Sequence, residues 1–266
     1  MLQGINLKKS FRGQKIVDNI DLQLEPGKIS VIIGPSGSGK TTLLKLLALL
    51  EEPDSGRVIV DDKEYCFPST GLQKAPWPEI TVVFQQLFLW PHLTLLQNVQ
   101  LPLTLRRGLY RGGERRKTAD VLGPSVTAPP QVNRVDEQRR LEDLLELFDM
   151  QGFVHRYPNE SSLGQRQRAA LVCALVLQPK YLLLDEITSS LDIEQIAIIL
   201  SYLKRLSQKG IGILIVTHLL NFAREAADKV IFIDAGQILE SGGRELLDSP
   251  SHDRVKKFLS VIASCS

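Results

Sequence analysis

The sequence predicts an α/β fold with a parallel sheet, and three observations predict it. Four short runs are almost continuously apolar, as strands buried on both faces of a parallel sheet are. Helical patterns separate several of these runs, and a glycine-rich turn joins the first run to the first helix. Strands that alternate with helices are typical of βαβ units, which build parallel sheets. The runs are ISVII (29–33), YLLLD (181–185), GILIV (212–216) and VIFID (230–234).

The remaining elements follow from periodicity and turn residues. Apolar residues at helical spacing predict helices at 40–50, about 138–148, about 164–177 and about 192–208. Before the first helix and just after it, INLKKSF, DNIDLQLEP and GRVIVDD alternate and are rich in turn residues, which predicts antiparallel strands flanking the first buried strand. Residues 106–137 are rich in Gly, Pro and Arg with almost no apolar periodicity, so we expect a solvent-exposed insertion there.

Composition narrows the functional classes. The 266 residues carry a net charge of only +2, which argues against nucleic-acid binding, since that usually needs a strong basic excess. The cysteines at 66, 173 and 265 are scattered and odd in number, as in proteins of a reducing cytosol. The longest apolar stretches are too short to cross a bilayer, and the N-terminus lacks the apolar region of a signal peptide. We therefore expect a soluble chain whose role at a membrane is peripheral.

A phosphate-binding loop is predicted at GPSGSGKTT (34–42), which fits the pattern G-x-x-x-x-G-K-[ST]. It follows the strand ISVII directly and precedes a helical run directly, and that context makes a plain glycine-rich turn improbable. Its glycines allow successive backbone N–H groups to surround phosphate oxygens, and the helix dipole adds to the attraction. Lys40 supplies positive charge to the β- and γ-phosphates, and the Thr41 hydroxyl suits Mg²⁺.

A second part of the site is predicted at YLLLDEITSSLD (181–192). A buried strand that ends in Asp185 and Glu186 delivers one carboxylate to Mg²⁺ and a second that can orient an attacking water. An acidic helix cap would explain one carboxylate but not two. The residues therefore indicate a nucleoside triphosphatase.

With these two motifs in place, the chain resembles the ATP-binding subunit of ABC transporters, in particular that of polar amino-acid importers. VVFQQLFLWPHLTLLQNV (82–99) is similar to the family's Q-loop segment, with Gln85 at its glutamine. SSLD (189–192) matches the D-loop, and LIVTHL (214–219) puts His218 at the switch histidine. Phe11 occupies the place of the aromatic that stacks on adenine, although an aromatic near a strand end is also common in cores. The tail at 236–260 is similar to the end of importer subunits.

The resemblance implies a P-loop NTPase (RecA-like) core with an antiparallel β subdomain and an inserted α-helical subdomain. The core would span 1–86 and 179–266, and the helical subdomain 87–178. By the same resemblance Glu186, His218 and Gln85 are catalytic, and Mg²⁺ is held by Thr41, Gln85 and Asp185. The residues implied to bind ATP are Phe11, Gly34, Pro35, Ser36, Gly37, Ser38, Gly39, Lys40, Thr41, Thr42, Ser162, Gly164, Gln165 and Asp192.

One departure from the family lies in NESSLGQRQRAA (159–170). The family's signature loop usually reads L-S-G-G-Q and completes the ATP site of a second subunit, with the helix N-terminus facing the γ-phosphate. This chain keeps Ser162, Gly164 and Gln165 but has Leu163 in place of the first glycine and Ser161 in place of the leucine.

The cost of Leu163 depends on the backbone that the loop needs. If the position requires a positive φ, leucine costs roughly 1–2 kcal/mol and the enzyme still works. If the side chain displaces the loop from phosphate, the loss approaches roughly 3–4 kcal/mol. Retention of Glu186, Gln85 and His218 favours the smaller cost. Two more departures, Ile187 for the usual proline and Cys173 for the usual arginine, remove no reacting group.

The expected function is ATP hydrolysis with Mg²⁺ by a dimer, homodimeric or formed with a related subunit, that drives a membrane permease at the cytoplasmic face of the membrane. A solute-binding protein would act through that permease. An alternative is a regulatory subunit that binds ATP but hardly hydrolyses it. A third class, ABC ATPases of DNA repair or translation, usually needs a long coiled coil or a second ATPase domain, and the sequence has neither. A P-loop kinase would leave the signature loop and His218 without a purpose.

Overall fold

The structure is a computed structural model that describes residues 1–69, 75–110, 134–188 and 191–265. The strands are β1 (Leu2–Phe11), β2 (Gln14–Leu24), β3 (Ile29–Ile33), β4 (Ser55–Val60), β5 (Lys63–Phe67), β6 (Ile80–Val83), β7 (Tyr181–Asp185), β8 (Gly212–Val216), β9 (Lys229–Asp234) and β10 (Gln237–Gly242). The helices are α1 (Lys40–Leu47), α2 (Leu95–Tyr110), α3 (Arg134–Leu147), α4 (Leu163–Leu175), α5 (Ile193–Gln208), α6 (Leu220–Ala226) and α7 (Asp253–Cys265). Short 3₁₀ turns lie at Pro158–Glu160 and Arg244–Leu247.

A six-stranded sheet in the order β10-β9-β3-β8-β7-β6 carries the four predicted apolar runs, and those strands are parallel. Every residue of β3, β7 and β8 is buried, as the continuous apolar runs predicted. Asp185 pairs with Val216, and Val83 pairs with Leu184, so these strands end at one edge of the sheet. In open α/β sheets ligands bind beyond this carboxyl edge.

The early strands form a second, antiparallel sheet in the order β2-β1-β4-β5. These are the antiparallel strands that the sequence predicted, and their separate sheet agrees with the antiparallel β subdomain that the resemblance implied. Helix α1 joins both sheets, because its four fully buried leucines belong to the same apolar cluster as Leu7 of β1 and Ile32 of β3. Each fully buried leucine contributes roughly 1.5–3 kcal/mol. Helix α1 also ends earlier than the predicted residue 50, and Leu49 has a φ of 53°.

Part of the region predicted as an insertion is helical. Helix α2 runs to Tyr110 and α3 begins at Arg134, so both ends of 106–137 are helix, and the stretch 111–133 lies outside the described residues. Apolar periodicity did not predict α2, which contains Pro102, a residue type that normally breaks a helix. The Arg106 guanidinium donates to the Glu137 carboxylate at 2.5 Å, and Glu137 is almost completely buried.

The chain divides into two compact units. One consists of Met1–Gln85 and Lys180–Ser266 and contains both sheets, and the other is Gln86–Pro179 with α2, α3 and α4. Within the described ranges, no helix is long and apolar enough to cross a bilayer.

Candidate active site

The predicted phosphate loop connects β3 to α1, and its glycines are required by its geometry. Gly34, Gly37 and Gly39 have φ values of 149°, 76° and 99°. A Cβ atom at Gly34 would lie 2.0 Å from the carbonyl oxygen of Ile233, and one at Gly39 would lie 2.4 Å from that of Ile16. Both distances are far below contact, so only glycine fits at these two positions. The loop passes directly against neighbouring backbone, which fixes its position.

Lys40 is enclosed by the loop that precedes it. Its Nζ donates to the carbonyl oxygens of Gly34 at 2.9 Å and Pro35 at 2.7 Å, and lies 3.4 Å from the Ser38 hydroxyl. Burial lowers the pKa of Lys40, while the nearby Glu186, Asp185 and Asp234 carboxylates act to raise it. The loop backbone thus surrounds the Lys40 ammonium group, which places a positive charge where a polyphosphate would bind. Ser36 and Gly37 at the tip of the loop are exposed and open to a ligand.

The two residues predicted to hold a metal together lie in direct contact. The Thr41 hydroxyl donates to Oδ1 of Asp185 at 3.1 Å. Burial raises the pKa of Asp185, although this hydrogen bond opposes the rise. Adjacent oxygen ligands of one Mg²⁺ lie about 3.0 Å apart when each is about 2.1 Å from the ion, so this pair fits such a site.

Mg²⁺ usually takes only one or two protein carboxylates and completes its shell with water and substrate phosphates. In the part that the structure describes, no cluster of three or more His, Cys, Asp or Glu side chains could hold a metal by itself.

Glu186 and His218 come together because β7 and β8 are neighbours. Nδ1 of His218 lies 3.9 Å from Oε1 of Glu186, and both side chains are partly exposed. Glu186 adopts a φ of 49°, and its N–H donates to the carbonyl oxygen of Val216 at 2.9 Å. A glutamate with left-handed backbone is strained by roughly 1–2 kcal/mol. Such strain is concentrated at functional sites.

Gln85 and Phe11 lie in the same compact unit as the phosphate loop. Gln85 follows β6 by two residues, at the carboxyl edge of the sheet, and is exposed. Phe11 ends β1 and pairs with Gln14 in the β1–β2 hairpin. Two residues further on, Ile16 presents the carbonyl oxygen that approaches Gly39, so the hairpin reaches the phosphate loop. Phe11 is 44% exposed, which favours a surface role over the core role that the sequence left open.

The signature segment lies in the second unit and begins α4. Ser162 is the N-cap: its hydroxyl oxygen accepts the Gln165 N–H at 3.3 Å, and its own N–H donates to Oε1 of Gln165 at 3.0 Å. This reciprocal capping box explains why Ser162 and Gln165 occur three residues apart. Leu163 is the first helical residue and its φ is negative. The strain considered for leucine at this position is therefore absent.

The other departures and the D-loop have structural roles. Asp192 caps α5, where its Oδ1 accepts the Gln195 N–H at 2.8 Å, while Ser189 and Ser190 lie outside the described residues. Ile187 is buried beside Glu186 in the sequence. Burial raises the pKa of the Cys173 thiol to about 12.

One residue that contacts the phosphate loop from a neighbouring turn was not predicted from the sequence. Gly236, in the turn between β9 and β10, donates its N–H to the Ser38 carbonyl oxygen at 3.1 Å and accepts the Asp18 N–H at 2.9 Å. The signal in the sequence, a glycine after a buried strand, is too common to identify such a contact.

Comparisons with known proteins found similar sequences and similar solved structures. The sequence pattern described as "ABC transporter" matches residues 17–189. The chain is 36% identical to the glutamine transport ATP-binding protein GlnQ of Escherichia coli (strain K12), over 99% of this chain and all of that protein. It is also 36% identical to the arginine transport ATP-binding protein ArtM of Bacillus subtilis (strain 168), over 98% of this chain and all of that protein.

Two solved structures are similar across most of the chain. The dimeric structure of MJ0796, a bacterial ABC transporter cassette, has a TM-score of 0.73 and 28% identity over 92% of this chain and 99% of its own. The same cassette in a post-hydrolysis state with ADP and Pi has a TM-score of 0.72 with the same identity and coverage. The predicted P-loop NTPase fold is thus confirmed.

Proposed function

Because this chain belongs to the ABC transporter family, we propose that it is the subunit whose hydrolysis of ATP drives the import of a polar amino acid through a partner permease. The chain is an ATPase that binds ATP. Support for the transported class comes from its relatives, which are named for glutamine, arginine and L-cystine transport and match over almost their full lengths. Such a subunit would act at the cytoplasmic face of the membrane, bound to the permease. A solute-binding protein would deliver the amino acid to that permease.

The observation that carries the assignment is the contact of 3.1 Å between Thr41 and Asp185, directly beside Glu186. Thr41 and Asp185 would hold Mg²⁺, which when bound would neutralise and orient the β- and γ-phosphates. Lys40 and the loop from Gly34 bind the phosphates through charge and backbone N–H groups.

Glu186 is the proposed acceptor of a proton from the attacking water. His218, 3.9 Å from Glu186, would contact the γ-phosphate. Gln85, which follows the neighbouring strand β6, would contact Mg²⁺. Glu186, His218 and Gln85 each follow a strand that ends at the carboxyl edge of the same sheet. Ligands of open α/β sheets bind at that edge, so all three side chains are placed near the nucleotide.

The second unit would contribute the residues that complete the ATP site of a partner subunit. Ser162, Gly164 and the N-terminus of α4 would complete the site of a second subunit, and a related cassette was solved as a dimer. The hydroxyl proton of Ser162 is not used in its capping contact with Gln165, so it can be donated to a phosphate. Leu163 adopts ordinary helical backbone and therefore adds no backbone strain to the segment. Retention of Glu186, Gln85 and His218 favours a working ATPase over the regulatory alternative.

Substitution of Glu186 by glutamine tests the proposal. Loss of a general base costs about a hundredfold to ten-thousandfold in rate. We therefore expect Glu186→Gln to lose steady-state turnover and to retain ATP binding, measured by titration with a fluorescent ATP analogue. The control is Glu225→Gln, which makes the same change at an exposed position on α6 and should have normal turnover. Undiminished hydrolysis in Glu186→Gln would disprove the assignment.

The protein concentration dependence separates the two candidate functions. Turnover that rises faster than linearly with concentration indicates sites completed across a dimer. Intact ATP binding with no turnover, even after the permease is added, would instead identify a regulatory subunit.

A further inference from the structure

An ammonium group covers one face of the exposed aromatic ring at the end of β1. Nζ of Lys9 lies 5.3 Å from the centroid of the Phe11 ring, within the range of a cation–π interaction. The Lys9 side chain is only 13% exposed, whereas Phe11 is 44% exposed. The ring therefore has one face held by a cation and further surface that remains open.

Lys9 is held in this position by three oxygen atoms. Its Nζ donates to the carbonyl oxygen of Glu52 at 2.7 Å and pairs with Oε1 of Glu51 at 3.2 Å and Oδ1 of Asp54 at 3.3 Å. One hydrogen bond and two ion pairs thus hold the ammonium group at the ring. A freely moving surface lysine would not be fixed in this way.

Asp54 fixes the strand that carries the ring. Its N–H donates to the carbonyl oxygen of Lys8 at 2.8 Å, and its Oδ2 accepts the Ser10 N–H at 2.7 Å. The segment that contains Asp54 follows α1, and α1 begins at Lys40 of the phosphate loop. The contacts of Lys9 and Asp54 thus tie the ring to the helix that starts at the phosphates.

We propose that Lys9 is a positioning residue for the adenine base, because it fixes the Phe11 ring and strengthens base stacking on the open face. This inference rests on the proposed function, in which Phe11 stacks on adenine. A cation on one face draws π-electron density towards itself, which reduces repulsion between the other face and an electron-rich base. A ring that is already fixed also loses less side-chain freedom when the base binds.

The test compares a ligand that has a base with one that lacks it. Dissociation constants for ATP and for inorganic triphosphate, both with Mg²⁺, are measured by calorimetry on the full chain. We expect Lys9→Met to weaken ATP binding about threefold to tenfold, as the loss of a partly buried cation–π contact would. Triphosphate affinity should stay the same, because the phosphate loop is untouched.

Neighbouring substitutions provide the controls. Lys8→Met makes the same change at the adjacent exposed lysine and should leave both affinities as they are. Lys9→Arg keeps the charge and should retain the preference for ATP. Phe11→Leu should lose at least as much ATP affinity as Lys9→Met, and adding Lys9→Met to it should cause no further loss. If Lys9→Met does not fold, Lys9→Gln removes the charge while keeping a donor for Glu52.

Several results would overturn the inference. Unchanged ATP affinity in Lys9→Met, with a loss in Phe11→Leu, would remove Lys9 from the site and leave the proposed function intact. Tighter ATP binding would mean that Lys9 covers the face that the base needs. An equal loss of affinity for ATP and for triphosphate would mean that Lys9 only stabilises the fold and does not act on the base. Failure of the unaltered protein to bind ATP would reject the proposed function itself.

Discussion

Replacement of Gly34 by alanine should destabilise the fold much more than the same replacement three residues later. Gly34 has a φ of 149°, and a Cβ atom there would lie 2.0 Å from the carbonyl oxygen of Ile233. The backbone conformation costs an alanine roughly 1–3 kcal/mol. The forced contact costs roughly 1–3 kcal/mol more. Ile233 belongs to β9, which is paired on both sides, so the strand cannot move away without breaking its ladders. We expect Gly34→Ala to lower the free energy of unfolding by about 4 kcal/mol.

Gly37→Ala is the matched control. Gly37 has a φ of 76°, but nothing lies within 4 Å of its Cβ position, so only the left-handed strain remains. That strain costs about 1–2 kcal/mol. Urea unfolding of both variants without nucleotide measures the difference, which should be about 2–3 kcal/mol. Equal unfolding midpoints for the two variants would refute the reasoning that close backbone, and not φ alone, requires glycine at position 34.

Two further predictions concern the signature helix and the metal pair. Leu163→Gly should lower the free energy of unfolding by about 1 kcal/mol, because it relieves no strain and glycine is a poor helix former; a more stable variant in urea would contradict this. Burial raises the pKa of Asp185 above its ordinary value, so the carboxylate is protonated at a higher pH than an exposed aspartate, and Mg²⁺-dependent ATP affinity should begin to fall at that higher pH. Asp185→Asn should remove this acid limb in binding titrations, and an unchanged limb would assign it to another group.

Prediction from sequence succeeded where local signals were strong. The apolar runs at 29–33, 181–185 and 212–216 are strands with those bounds, because burial on both faces leaves an unmistakable pattern. It failed at α2, which apolar periodicity did not predict and which contains Pro102. It also left the backbone cost of Leu163 open, because no sequence pattern specifies a single φ angle. In the structure, Leu163 begins α4 with a negative φ.

The sequence by itself determined the parallel sheet and the chemistry of the phosphate loop. Glycine spacing, the lysine and the paired carboxylates are local features, and each is legible within a few residues. Only the tertiary structure decided which distant groups meet. Strand order brings Glu186 to within 3.9 Å of His218 and Thr41 to within 3.1 Å of Asp185, 144 residues away. It also brings Gly236 against Ser38 and Asp54 against Lys9. Such contacts depend on register between strands far apart in the chain, and that register is set by the packing of the whole core.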